Sequence, residues 1–148
     1  MGFWSKPKLI KVAVVSVYLL LAFLQLLTWF FLSYQNAPNI MFGFTLYSLI
    51  TLMIYVWEPF LLVYIFSTVL LPIFYIAVAA GLERNSRIWW TLALISNLLT
   101  INANVIWIRT YGTDPKSLGF VAGLVFNFVV LTVLILYWFN LIRGSPSA

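Results

Sequence analysis

Few side chains in this sequence could carry acid–base or metal chemistry. The 148 residues include no histidine and no cysteine, which excludes the commonest catalytic base, thiolate chemistry and Cys-type zinc or iron–sulfur sites. The only acids, Glu58, Glu83 and Asp114, belong to separate turns, so neither a carboxylate pair nor a metal site with oxygen ligands is indicated. We therefore expect no catalytic residue, no metal and no cofactor.

Amide and hydroxyl side chains recur on one predicted helical face between residues 88 and 108. Asn97, Thr100 and Asn104 follow one another at spacings of three and four residues, which places them on one side of a helix. Acyl chains offer such groups no hydrogen bonds, so this face should look into the protein or at another subunit. Interhelical hydrogen bonding is the interpretation that we favour, and a path for a ligand or ion is the alternative.

A second pattern predicts close packing between helices. Gly119, Gly123 and Asn127 recur every four residues, and small residues at this spacing let two backbones approach while an amide bonds across the seam. We expect this face to pack against the Asn97–Asn104 face. Ala77 and Gly81 form a shorter version of the same pattern.

Two single residues are also candidates for a special role. Pro72 lies inside an apolar run, where it removes one backbone hydrogen bond and predicts a helix kink, which we expect to be static. Glu58 is the only acid before Leu82. Deep in a membrane it would be a candidate proton relay, but its neighbours Trp57 and Pro59 favour a turn at the interface.

The composition places the elements that carry these residues in a membrane. Hydrophobic residues make up 64% of the chain and charged residues 7%, against roughly 45–50% and about 25% in soluble domains. So few charges cannot cover a surface in water, and the apolar residues come in long uninterrupted runs. The net charge of +5 indicates membrane topology and anionic headgroups, not nucleic acid.

We predict an all-α fold, a single transmembrane helical bundle that occupies residues 1–148. A span needs about 20 residues, and the apolar runs between polar turns suggest five spans, at about 12–32, 40–56, 60–81, 88–108 and 118–142. The first exceeds the roughly 7–15 apolar residues of a signal peptide, so we expect it to be retained. Aromatic residues, 19% of the chain, often lie near the proposed span ends, where amphipathic rings prefer to be.

The positive-inside rule favours four spans instead, with residues 40–57 outside the bilayer or re-entering it. Four spans would gather Lys6, Lys8, Lys11 and three arginines, Arg84, Arg87 and Arg143, on one side. We prefer five, because leaving a dozen large apolar side chains in water would cost on the order of 20 kcal/mol. The amino end is cytoplasmic in either arrangement.

These features suggest a non-catalytic accessory subunit of a larger membrane protein complex. The helix faces resemble packing surfaces, and small helical subunits of this kind occur in assemblies such as respiratory complexes. We expect its partners to be other integral membrane subunits and lipids, in the cell membrane of a prokaryote. The alternative is a stand-alone binder or carrier of a small hydrophobic molecule, with its site lined by Asn97, Thr100, Asn104 and Asn127.

Overall fold

The computed structural model describes residues 7–33, 44–46, 48–50, 69–115 and 117–142. These residues form four α-helices, α1 (Pro7–Ser33), α2 (Leu71–Glu83), α3 (Arg87–Tyr111) and α4 (Ser117–Tyr137). A π-helical segment, Trp138–Ile142, continues α4. The described residues contain no strand, so the all-α prediction is confirmed for this part of the chain.

Three of the described helical segments are long and apolar enough to cross a membrane. They are Pro7–Leu27 with 21 residues, Arg87–Tyr111 with 25 and Ser117–Ile142 with 26. They correspond to the first, fourth and fifth predicted spans. The five-span prediction is not confirmed, because most of the second predicted span and the first part of the third lie outside the described residues. What is described of the third is α2, whose 13 residues extend only about 20 Å.

The four helices pack in a ring that follows their order in the chain. Helix α1 contacts α2 and α4, and α3 contacts the same two helices. Apolar side chains at helical spacing on α1, Ile10, Val14, Tyr18 and Leu21, meet Val78 and Leu82 of α2 and Leu134 of α4 in one buried cluster. Burying such side chains is favourable by roughly 1.5–3 kcal/mol each where water is the alternative.

A short turn reverses the chain between α2 and α3. Asn85 adopts a positive φ of 55°, a conformation that asparagine tolerates better than most residues. Its N–H donates to the Leu82 carbonyl at 3.0 Å, and the Ser86 N–H donates to the Gly81 carbonyl at 3.1 Å. These two bonds form a Schellman motif, which ends α2 and satisfies its last carbonyl groups.

Gly81 permits a close contact between the two helices that this turn joins. A Cβ atom built on Gly81 would lie 2.0 Å from Cγ and 2.4 Å from Cβ of Trp89. Such distances leave no room for any side chain. The Trp89 ring therefore packs directly against the α2 backbone, and this contact fixes how α3 leaves the turn.

Pro72 occupies the first turn of α2. Val69 and Leu70 are π-helical, and the α-helix begins at Leu71, so the change of helix type occurs next to the proline. Proline is tolerated in the first turn of a helix because its missing N–H has no partner there in any case. The kink predicted at Pro72 stays a prediction, because the chain immediately before Val69 lies outside the described residues.

Candidate functional site

The seam between α3 and α4 is held by a pair of buried asparagines. Asn97 Nδ2 donates to Asn127 Oδ1 at 3.0 Å and to the Asn127 backbone carbonyl at 3.2 Å. Asn127 Nδ2 donates in turn to the carbonyls of Gly123, at 2.7 Å, and Phe44, at 3.3 Å. Since both amino groups have acceptors, this network fixes the orientation of both amides. The two predicted faces therefore meet through hydrogen bonds within the chain.

The carbonyl oxygen of the Asn97 side chain takes no part in the bonds of this pair. Asn97 is only 4% exposed, and its Oδ1 has no hydrogen-bond partner among the described residues. Asn97 and Asn127 border a small pocket between α1, α2, α3 and α4, together with Tyr18, Leu21, Tyr75, Ser96 and Thr100. The pocket is too narrow to admit a water molecule. An acceptor without a partner in such a place is uncommon and needs an explanation.

The hydroxyl groups around this pocket bond mainly to nearby carbonyls. Ser96 Oγ donates to the Ala93 carbonyl at 2.9 Å, and Thr100 Oγ1 donates to the Ser96 carbonyl at 2.8 Å. The Tyr18 hydroxyl also donates to Ala93, at 3.3 Å. The Tyr75 hydroxyl accepts from the Leu46 N–H at 2.8 Å. Thr100, predicted as part of the polar face, is therefore buried, and its hydroxyl proton is donated to a carbonyl of its own helix.

The remaining predicted residues of this seam are also buried. Asn104 is fully buried, and Gly119 and Gly123 lie on the buried side of α4. Trp107, one turn beyond Asn104, donates from Nε1 to the Ser48 carbonyl at 2.8 Å. The seam thus continues from the asparagine pair towards the Tyr111 end of α3, where Trp107 bonds to Ser48.

Residues 44–46 and 48–50 make further polar contacts that the sequence does not reveal. Thr45 Oγ1 donates to Gln25 Oε1 of α1 at 2.7 Å, and both side chains are fully buried. Phe44, Leu46 and Ser48 contribute backbone groups to the bonds described above. This short stretch is therefore connected to all four helices by hydrogen bonds.

The opposite end of the bundle is built from aromatic side chains. The Trp90 Nε1 donates to the Leu134 carbonyl at 3.0 Å, and the rings of Trp90 and Trp138 are 4.4 Å apart. The Tyr137 hydroxyl donates to the Leu82 carbonyl and lies 3.0 Å from Asn85 Oδ1. The indole N–H groups of Trp90 and Trp107 are thus used inside the protein, although their positions near span ends suggested headgroup contacts.

One asparagine of α3 faces outward. Asn102 is exposed, and nothing in the described part of the chain hydrogen-bonds with its amide. Its neighbours on the same face are the large apolar side chains of Leu98, Leu99 and Ile106, which are 47%, 42% and 38% exposed. The sequence shows only that Asn102 lies off the Asn97–Asn104 face, and its outward orientation follows from how α3 packs.

The acidic residues are not brought together where the structure describes them. Glu83 is the last residue of α2, and its Oε1 lies 3.9 Å from Nζ of Lys11 in α1. Asp114 lies beyond the far end of α3. Within the described ranges, no three acidic side chains cluster in a way that could hold a metal ion. Glu58, the candidate intramembrane acid, lies outside the described residues.

Comparison with known proteins adds no further guide to function. Neither the protein-family models, nor the curated proteins, nor the solved structures contain a match to this chain.

Proposed function

We propose that this protein is a non-catalytic accessory subunit of a larger membrane protein complex, to which it contributes packing helices and no redox centre. The observation that carries the proposal is the outward-facing amide of Asn102. It lies on an otherwise apolar face of a helix that is long enough to cross a membrane. A partner helix on this face would supply the hydrogen bonds that the amide lacks within the described chain.

The depth of Asn102 strengthens this argument. Asn102 precedes Tyr111, the last residue of α3, by nine residues, or about 14 Å at roughly 1.5 Å per residue. A hydrocarbon core about 30 Å thick, centred on a helix of 25 residues, encloses that position. Lipid tails cannot accept or donate hydrogen bonds, so polar groups within a membrane normally face protein or water-filled space.

Other outward polar groups of the same bundle do not need a partner. Asn140 Nδ2 donates to the Leu136 carbonyl at 2.8 Å, and Thr132 Oγ1 donates to the Phe128 carbonyl at 3.0 Å. Thr91 and Thr110 bond to their own helix in the same way. Each of these side chains donates a hydrogen bond within one turn of its own helix, whereas the Asn102 amide makes none with the described residues and calls for a neighbouring polypeptide.

The proposal includes a topology and a class of assembly. We propose four spans with the amino end in the cytoplasm, in the cell membrane of a prokaryote, and a respiratory complex as one assembly that recruits such subunits. The ion pair of Lys11 with Glu83 at 3.9 Å supports four spans, because five would place these two residues on opposite sides of the membrane. Lys8 and Lys11 at the start of α1 support the orientation. A reporter fused after residue 57 tests the span count, because it would be cytoplasmic if residues 40–56 cross the membrane and outside the cytoplasm if they do not.

Assembly in native membranes tests the proposed function. The chain is expressed with an affinity tag in its own organism, solubilised in mild detergent and separated on a native gel. We expect a discrete complex whose partner subunits are lost in Asn102→Leu and retained in Asn140→Leu. Asn140 is the control because it is also exposed, but its amide donates to a carbonyl of its own helix. A stable, monodisperse chain that is free of partners would contradict the proposal, and so would equal behaviour of the two variants.

A second function is favoured by a different observation, the Asn97 Oδ1 that has no partner among the described residues. A stand-alone binder or carrier could place a hydrogen-bond donor of a small hydrophobic molecule there, after the pocket widens. Replacing Asn97 and Asn104 with leucine should then abolish ligand binding or flux while the fold stays intact. If the changes alter only stability or assembly, the carrier hypothesis is wrong.

A further inference from the structure

A groove opens on the surface where the end of α2 meets the start of α3. It has a volume of about 360 Å³, within the range of roughly 300–1,000 Å³ that is usual for small-molecule sites. It is lined by Ala77, Ala80, Gly81, Arg84, Ser86 and Trp89. It is separate from the asparagine seam, and no feature of the proposed subunit role uses it.

One end of the groove is apolar and shallow-walled. Ala77, Ala80 and Gly81 are spaced at three and four residues, on one face of α2, and none of them has a side chain larger than a methyl group. Trp89 forms the facing wall, and its ring lies directly against the Gly81 backbone. The short side chains leave an apolar surface against which a hydrocarbon chain can pack.

The other end is polar and cationic. Arg84 is exposed and forms no ion pair with a described residue, since the one ion pair seen in the described ranges joins Lys11 and Glu83. Ser86 precedes α3, but its side chain does not cap the helix, so its hydroxyl can donate to a ligand. A guanidinium and a hydroxyl together suit a phosphate group.

We propose that this groove binds an anionic glycerophospholipid, with the phosphate at Arg84 and Ser86 and an acyl chain along Ala77, Ala80 and Trp89. The ligand must carry a negative charge at one end, where it meets the Arg84 guanidinium. It must be apolar at the other end, where the lining consists of small apolar residues. The groove also lies at the polar turn between two apolar helices, one of them a candidate span, where headgroups meet acyl chains. This inference does not rest on the proposed subunit role.

Native mass spectrometry of the whole chain, released from detergent with defined lipids, tests the headgroup end. The probes are phosphatidylglycerol, which is anionic, and phosphatidylcholine, which is zwitterionic and has the same acyl chains. We expect phosphatidylglycerol to bind more tightly, and Arg84→Gln to weaken its binding about fivefold, the effect of one basic residue near a lipid surface. Arg109→Gln is the matched control, because Arg109 is an exposed arginine at the other end of α3.

The apolar end is tested by filling it. Ala80→Leu should weaken the binding of both lipids. Ala122→Leu, an equivalent change at an exposed position of α4, should leave the binding of both unchanged. Circular dichroism and size-exclusion profiles establish that the variants keep the fold. Glycerol phosphate, which has no acyl chain, should fail to displace bound phosphatidylglycerol.

Three results would overturn the inference. Equal losses of phosphatidylglycerol affinity in Arg84→Gln and Arg109→Gln would show that only the overall charge of the protein matters. An unchanged affinity in Ala80→Leu would show that no acyl chain occupies the groove. Displacement by glycerol phosphate would identify a simple phosphate site in place of a lipid site.

Discussion

The two faces of α3 carry the same kind of side chain in opposite surroundings. On the inner face, Asn97 is 4% exposed and donates to both oxygens of Asn127. On the outer face, Asn102 is exposed among leucines and has no partner in the described part of the chain. An amide in an apolar helix therefore has no fixed meaning, because its role depends on whether the chain itself supplies the partner. The inner amide supports the fold, and we propose that the outer one supports assembly.

The largest expected effect concerns the close contact between Gly81 of α2 and Trp89 of α3. Gly81→Ala should lower the free energy of unfolding by about 1–3 kcal/mol, because the added Cβ overlaps the Trp89 side chain near its root. Alanine is the better helix former by about 1 kcal/mol, so destabilisation could not come from helix propensity. Unfolding in mixed micelles, followed by circular dichroism, measures the change.

The background variant Trp89→Ala provides the control for that prediction. Without the indole ring, Gly81→Ala should be neutral or stabilising, since only the gain in helix propensity remains. Destabilisation of the same size in both backgrounds would show that the Gly81–Trp89 contact does not set the spacing of α2 and α3.

A smaller effect is expected for the inner asparagine pair. A double-mutant cycle of Asn97→Leu and Asn127→Leu should give a coupling energy of about 0.6 kcal/mol, the average for hydrogen bonds between membrane helices, and at most about 1.7 kcal/mol. The same micelle titration provides the four free energies. Zero coupling would mean that the two amides do not bond, and the contrast between the faces of α3 would disappear.

The smallest effect is expected on the outer face. In the isolated chain, Asn102→Leu should change the free energy of unfolding by no more than about 0.5 kcal/mol, because the described chain makes no bond to this amide. The same variant should lose its partner subunits in native membranes. Loss of stability in the isolated chain would place Asn102 in a contact within the chain, and the proposed distinction between fold and assembly would be wrong.

Much of the helical framework could be predicted from the sequence. The predicted spans 88–108 and 118–142 agree with Arg87–Tyr111 and Ser117–Ile142, because long apolar runs end at charged or glycine-containing turns. Helix α1 begins at Pro7, five residues before the predicted boundary at residue 12. Proline is favoured at the start of a helix, and lysine stems such as those of Lys8 and Lys11 can cover apolar surface while their charges reach water.

The partners of individual polar groups could not be predicted in the same way. Helical spacing places Asn97 and Asn127 on packing faces, but it does not show that Trp107 donates to Ser48, 59 residues away. Likewise, no pattern links Gln25 to Thr45. Such bonds depend on the register between elements, which side-chain packing sets and which residue spacing within one helix does not report.

The groove between α2 and α3 illustrates the same limit. The Ala77–Gly81 spacing predicts a face for close packing, yet only part of it is used for packing. Gly81 contacts Trp89, while Ala77 and Ala80 line an open surface. A pattern of small residues thus indicates where a neighbour can approach, and not whether that neighbour is a helix or a lipid.

Site-specific crosslinking tests the central claim most directly. A photoreactive amino acid in place of Asn102 is activated in native membranes, with the same group in place of Asn140 as the comparison. Our account predicts a discrete adduct between position 102 and a different integral membrane polypeptide, and lipid adducts only at position 140. Lipid adducts alone at position 102, or an adduct with a second copy of this chain, would contradict it.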